Sequence, residues 1–321
     1  MPATGRAIVF LSDFGYRNEW VGICHAVMNR IAPASPIVDL SHGVPPLDVR
    51  GGAVLLVDSL PYLSAEAVLL AIVDPSVGRD RDVTFESDDG RLVVGPDNGL
   101  LSPLAAALGG VARAVEITSP DIVLTPISPS FHARDVLAPA AAHLSAGVDL
   151  EKLGAALDPA TLAEFRIPEP TVERAKIECE VLDLNRFGNV LLNVRESQFV
   201  ESGLDGADAI QIDATSGSGR AQRVATYADV ESGDWGSSSI RADGCSSYVA
   251  IRRTPPKASA ASRPATRSGL PRLGTRAHGS DAFHRPTRSL GRAIQRLVRR
   301  HRRSSAHRVR GCSGKTTGSR P

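Results

Sequence analysis

The stretch AVLLAIVDPSVG, Ala67 to Gly78, is an apolar run of strand length that stops at an acid followed by a proline. Apolar residues in an unbroken short run, with no polar alternation, read as a strand covered on both faces, which is the pattern of a parallel sheet. Working outward, AIVFLS (Ala7–Ser12) has the same form and closes on Asp13 and Gly15, and PIVDLS (Pro36–Ser41) follows it. Between these runs the spacing turns helical. EWVGICHAVMNRIAP suits a helix stopped at Pro33, and DVRGGAVLLVDSLPYL suits one entered at Asp48 as N-cap. DVTFES and RLVVGPDNGLL read as strands, the second ending in an Asn-Gly turn. LSPLAAALGG is helical with Gly109-Gly110 as its stop, ARAVEIT is a strand, and RDVLAPAAAHLSAG is a further helix. Strands alternating with helices predict an α/β domain over residues 1–165 with a mainly parallel sheet.

In such sheets ligands gather at the carboxyl ends of the strands. Asp13, Asp74 and Asp97 each lie just past a strand end. One acid there is ordinarily a helix cap, whereas three on one sheet edge favour a site.

The pattern breaks at FRIPEPTVERAKI (Phe165–Ile177), where two prolines among charges read as a linker over 166–176. KIECEVLDLNRFGNVLLNV then gives two β-rich runs around residues 185–189, a hairpin that opens a second, all-β domain over 177–232. From 233 to 321 Ser, Arg, Pro and Ala dominate without a steady period, the composition of a disordered, low-complexity tail. Leu290, Ile294, Leu297 and Val298 of RSLGRAIQRLVRRHRR share a helical face, so a basic amphipathic helix competes with chance periodicity there.

The net charge of +2 conceals a split. Residues 252–321 hold 19 Lys/Arg and one acid (+18), which leaves 18 basic against 34 acidic residues in 1–251 (−16). Such a tail fits nucleic acid or acidic surfaces. A second explanation exists. Back-translated with GC-rich codons and read two bases later, Tyr248–Ala258 can give RGDPADAAEG, an acidic run, which points to a slip of the reading frame near residues 233–235. The four cysteines (Cys24, Cys179, Cys245, Cys312) are far apart and form no zinc-like cluster. The N-terminus has no basic region leading into a long apolar stretch, and no apolar run is long enough to span a bilayer. A cytoplasmic, reduced protein is the expectation.

PSFHARD (Pro129–Asp135) places an imidazole, a guanidinium and a carboxylate at the mouth of a helix that reads as buried. They are either a cap with its ion pairs or part of a site. Taken with the other polar strand-end pieces, the balance shifts. LSDFG (Leu11–Gly15), DLSHGVPPLDVRGGAVLL (Asp39–Leu56), VDPSVGRDR (Val73–Arg81), GPDNGLLSP (Gly95–Pro103), SFHARD (Ser130–Asp135) and NRFGNVLLN (Asn185–Asn193) form an ordered set. Each is weak alone; together, over about residues 6–232, they closely resemble the S-adenosyl-L-methionine hydroxide adenosyltransferases, relatives of the fluorinase and chlorinase.

The resemblance implies an N-terminal α/β domain, a smaller β-barrel-like C-terminal domain that is incomplete here, and a homotrimer. In that family the substrate lies between one subunit's N-domain and a neighbour's C-domain. The reaction is hydrolysis of S-adenosyl-L-methionine to adenosine and L-methionine, with no cofactor and no metal. The family's Asp-Arg-His triad falls on Asp74, Arg81 and His132. The ribose-binding acid falls on Asp13. Phe131, Ala133, Asn185, Phe187 and Asn189 fall on positions that contact substrate, Phe187-Gly188-Asn189 being the adenine-recognition loop. The chain departs from the family pattern at Asn18, at Ser76 for a glycine, at Ala133 for a glycine and at Asn185 for an acid, and the last barrel strands are not recognisable after Ser232.

The chemistry suits these residue types. Attack at ribose C5′ displaces a neutral thioether from a sulfonium, so the leaving group needs no general acid. What is needed is a water held behind the C–S bond and made more nucleophilic. Asp74 can accept a hydrogen bond from it, Arg81 can favour its hydroxide character, and His132 can orient it or take its proton. Asp13 can accept from both vicinal ribose hydroxyls. Each residue also has a structural reading: Asp74 as a strand stop, Arg81 as a surface charge, His132 as a packed or capping histidine. Arg79 and Asp80 read as surface charges, Arg134 and Asp135 as an ion pair or cap, His42 and His143 as structural, and Asp97-Asn98-Gly99 as turn chemistry. Two competing functions stand beside hydrolysis. One is halogenation, which a carboxylate at the nucleophile position opposes. The other is an impaired remnant whose basic tail binds nucleic acid or acidic surfaces.

Overall fold

A computed structural model describes residues 5–184, 189–214, 217–223, 235–239, 248–253 and 309–312. Two compact units divide the chain between Pro168 and Glu169. In the first, β1 (Ile8–Ser12), β2 (Ile37–Ser41), β3 (Val68–Ile72), β4 (Asp82–Ser87), β5 (Leu92–Pro96), β6 (Val111–Ile117) and β7 (Gly154–Leu157) form one sheet, ordered β2-β1-β3-β5-β4-β6-β7. The β2-β1, β1-β3 and β3-β5 ladders are parallel, and the β5-β4, β4-β6 and β6-β7 ladders antiparallel. The sheet is therefore mixed, with its parallel half where the apolar runs are unbroken: β1, β3 and β5 are buried along their whole length.

Alternation along β1 supplies both faces. Ile8 and Phe10 pack with Val21, Cys24 and Met28 of α1 (Trp20–Ile31) and with Ala141 and Leu144 of α4 (Ala138–Ser145). Val9 and Leu11 pack on the other face with Ala53 and Leu56 of α2 (Val49–Ser59) and Leu104 of α3 (Ser102–Ala107). The result is helix–sheet–helix layering. As expected, Asp48 caps α2, accepting from the Gly51 N–H at 3.0 Å, and Gly109 and Gly110 end α3 at φ +91° and +134°.

The second unit is a largely antiparallel sheet of nine strands: β8 (Thr171–Glu173), β9 (Lys176–Cys179), β10 (Val181–Leu184), β11 (Asn189–Arg195), β12 (Ala209–Ala214), β13 (Gly217–Arg223), β14 (Trp235–Ser239), β15 (Tyr248–Arg253) and β16 (Val309–Cys312). The β10–β11 hairpin is the one expected around residues 185–189. Two features go beyond the sequence reading. The stretch expected as a linker contributes β8, which pairs back on β9 through a turn in which Ala175 takes φ +59°. The segment expected as a tail contributes β14, β15 and β16, of which YVAIRR in β15 has β-rich composition and pairs with β11. Cys24 and Cys179 are free and buried, and burial pushes both thiols up to about 12. Among the described residues no helix is long and apolar enough to cross a membrane.

Candidate active site

The parallel order β1-β3-β5 brings three strand ends together, so Asp13, Asp74 and Asp97 share one sheet edge with Asp74 in the middle. The backbone around Asp74 is held from two sides. The Asn98 side-chain amide donates to the Val73 carbonyl at 2.9 Å, tying the end of β5 to the end of β3. The Ser76 N–H donates to Asp74 Oδ1 at 2.9 Å, closing the turn that follows. Burial pushes the Asp74 carboxyl above the ordinary carboxylate range; the Ser76 amide and His132 oppose the shift, and Asp80 and Asp13 add to it. Asp13 and His132 thus lie within electrostatic reach of Asp74. Asp13 Oδ2 accepts from the Leu47 N–H at 2.7 Å, a bond made from a residue in the left-handed region at φ +66°.

His132 precedes a single π-helical turn, Ala133–Leu137, that leads into α4. Its Nδ1 lies 2.6 Å from Asp82 Oδ2, and the two side chains are 19% and 7% exposed. Its Nε2 faces the turn after Asp74: a Cβ added to Gly78 would lie 3.7 Å from that nitrogen and 2.7 Å from the Pro129 carbonyl oxygen. Gly78 also has φ +78°, so glycine is required there for both reasons. Asp82, which sequence reasoning missed, reaches this edge because β4 runs antiparallel to β5 with Asp82 opposite Pro96. Burial pushes its carboxyl up to about 6, against the pull of His132.

Arg81 also stands at this edge, but its hydrogen bonds go elsewhere. Nε and Nη2 donate to Asp97 Oδ2, the former at 3.1 Å, and Nη2 donates to the Thr161 carbonyl at 2.8 Å. Asp97 Oδ1 accepts from the Ala163 N–H at 2.7 Å. Asp97 therefore fastens the 161–163 segment and the Arg81 guanidinium together, which is more than turn chemistry.

Arg134 and Asp135 form the expected ion pair, with both guanidinium bonds made at 2.6 and 2.7 Å. Asp135 also accepts from the Ser128 N–H at 2.8 Å. Burial alone would raise the Asp135 carboxyl, but Arg134 and the Ser128 amide hold it below the ordinary range. Arg134 stacks 5.0 Å over the Phe131 ring, and Phe131 meets Phe14 edge-on at 6.5 Å. Ala133 is 5% exposed and its methyl packs in the core. Asn189 opens β11 in the second unit; Asn185, Phe187 and Gly188 lie outside the described residues.

Beside this edge His25, Asp39 and His42 bring their ligand-type atoms within 4.8 Å of one another. These groups partner each other: Asp39 Oδ1 lies 2.7 Å from His25 Nε2 and 3.0 Å from His42 Nε2, while His42 Nδ1 lies 2.7 Å from Ser12 Oγ. Burial would raise Asp39, yet the two imidazoles hold it below its ordinary range. His42 is fully buried and packs edge-on against Phe10, a structural role as expected.

Residues 8–154 match the family described as the SAM hydroxide adenosyltransferase N-terminal domain. The chain is 46% identical over 186 residues to the (R)-S-adenosyl-L-methionine hydrolase of Salinispora tropica, a match covering 58% of this chain and 70% of that protein. It is 28% identical over 230 residues to a fluorinase of an Actinoplanes species, covering 64% and 77%. A solved structure of an uncharacterized conserved protein from Thermotoga maritima superposes with a TM-score of 0.70 at 30% identity, covering 76% of this chain and 91% of that one.

Proposed function

Since the chain belongs to the SAM hydroxide adenosyltransferase family, we propose that it hydrolyses S-adenosyl-L-methionine to adenosine and L-methionine. The observation that carries this reading is the convergence of Asp13, Asp74 and His132 on one sheet edge. A water attacks ribose C5′ opposite the sulfonium, the C–S bond breaks with its electron pair going to sulfur, and methionine leaves as a neutral thioether. The water's second O–H bond yields the proton released in the net reaction. His132 Nε2 accepts it, with Asp74 aligning the water. Three carboxylates around the site, Asp13, Asp74 and Asp82, favour a developing cation at C5′ and oppose an anionic nucleophile, which supports water over halide. Arg81 completes the triad as the counter-charge of this edge, working from its anchorage on Asp97. Phe131 and the backbone amide of Ala133 approach the substrate where the π turn begins, and the family resemblance assigns Asn185, Phe187 and Asn189 to its adenine and methionine ends. No cofactor or metal takes part.

The same reading places the protein in the cytoplasm as a homotrimer, with an incomplete barrel-like second domain. The competing reading, an impaired remnant that binds nucleic acid or acidic surfaces through its basic segment, has the net charge of +18 over residues 252–321 in its favour.

The test is turnover in ¹⁸O-water. Labelled adenosine is expected from the wild type, with losses of about 10²–10⁴-fold in kcat for Asp74→Ala and His132→Ala, and a clear loss for Arg81→Ala. Halide-dependent formation of a 5′-halo-adenosine would replace the hydrolase assignment with a halogenase.

A further inference from the structure

We infer that Asp82 is a positioning residue for the proposed hydrolysis, fixing the tautomer and aim of His132 so that Nε2 presents its lone pair toward the water beside Asp74. The inference rests on the hydrolase reading for its kinetic consequence, but not for its structural one.

The argument begins with topology. Asp82 is the first residue of β4, and the antiparallel β4–β5 register delivers its carboxylate to the edge where β1, β3 and β5 end. There it is 7% exposed and 2.6 Å from His132 Nδ1. Its other oxygen, Oδ1, is buried with no hydrogen-bond partner among the described residues. The carboxylate is thus committed to a single donor. A buried carboxylate makes one histidine tautomer much better than the other: Nδ1–H donates to Asp82, and Nε2 is left bare. With the reverse tautomer, two lone pairs would face each other at 2.6 Å in a buried site.

The bare nitrogen then faces the turn after Asp74 at Gly78, where an added Cβ would lie 3.7 Å from it. When the attacking water gives its proton to Nε2, the imidazolium formed is stabilised by Asp82 on its far side. The titratable groups facing Asp82 are His132, Asp74 and, from β6, Glu116, so the imidazolium, once formed, is the sole cation among them. The groups that His132 faces include Asp82, Asp74 and Asp135. This Asp–His–water order holds the proton's route at stated atoms: from water oxygen to His132 Nε2, while Nδ1–H stays on His132 and is not passed on.

Two measurements test it on the full chain. In ¹⁵N-histidine NMR at about pH 7, His132 of the wild type is expected as the Nδ1–H tautomer, and Asp82→Asn is expected to lose that preference. In steady-state kinetics Asp82→Asn should lower kcat about 10–100-fold with KM changed less than about 2-fold. It should move the acidic limb of kcat/KM to lower pH, and Asp82→Glu should recover part of the loss. In a His132→Ala background Asp82→Asn should add nothing, since the two act as one unit. A wild-type Nε2–H tautomer, or an Asp82→Asn loss that persists undiminished in the His132→Ala background, overturns the inference. Wild type that fails to hydrolyse S-adenosyl-L-methionine sinks the functional reading instead, and the NMR result then decides the inference alone.

Discussion

At the residue scale, three aspartates show how environment assigns different work to one side chain. Asp135, buried but bonded by Arg134 and the Ser128 amide, is held low. It stabilises the fold above the unfolded-state carboxylate range, and that contribution is lost as pH falls through its folded value. Asp82, with only an imidazole for compensation, is pushed up to about 6. Asp58 on α2 is pushed up to about 7 by burial alone, and its Oδ1 has no hydrogen-bond partner among the described residues. The sign for Asp58 is opposite to that for Asp135. A raised folded value means that stability is fully present below the unfolded range and is lost as pH rises toward 7, because the native state must then hold a buried charge. Asp58→Asn, which keeps the shape and removes the charge, should raise Tm at about pH 8 and leave it nearly unchanged at about pH 4. Thermal unfolding of both chains at the two pH values checks this, and an equal effect at both would mean that the burial is not felt as charge.

At the element scale, α2 is placed by two adjacent glycines with different duties. A Cβ on Gly51 would lie 2.7 Å from Asp48 Oδ2 and would disturb the N-cap. A Cβ on Gly52 would lie 3.0 Å from both Leu100 Cδ1 and Val73 Cγ2. The helix therefore approaches the sheet at backbone distance, directly behind the residue that precedes Asp74. Gly52→Ala is expected to cost about 1–3 kcal/mol as overpacking, read as a lower Tm, and to reduce kcat by shifting Val73 and hence Asp74. A variant of full stability and activity would show that the gap is wider than these distances imply. The strands that carry Asp13, Asp74 and Asp97 were legible because an unbroken apolar run reports burial on both faces. The direction of β4 was not legible, since DVTFES is buried similarly whichever way it runs. Hence Asp82, inside the charged run RDRD, looked like more of the same surface charge that Arg79 and Asp80 suggested. The π turn at Ala133–Leu137 was equally hidden, because the apolar spacing of its residues suits an α-helix, and the register change shows only in backbone bonds.

At the scale of the whole molecule, the charge split is the feature that local patterns cannot explain. A domain with −16 over residues 1–251 and a following segment with +18 would attract each other. A basic arm that serves nucleic acid would then have to compete with its own enzyme for that charge. Yet the second sheet draws β14 and β15 from the stretch just after residue 233, and β15 pairs with both β14 and β11, so the start of this segment has strand-forming composition. The acidic run obtained by reading Tyr248–Ala258 two bases later offers the other account, in which the fold's own continuation lies in a neighbouring frame. The two accounts separate on one quantity. A genuine basic arm requires the protein isolated from its native host to yield peptides of residues 252–321 as they stand in this sequence. It should also bind duplex DNA with an affinity that falls steeply between about 50 and 200 mM salt. A slipped frame requires those peptides to be replaced by others, acidic where Tyr248–Ala258 stands here, and no such binding. We expect the second outcome, because it alone removes the opposed charges.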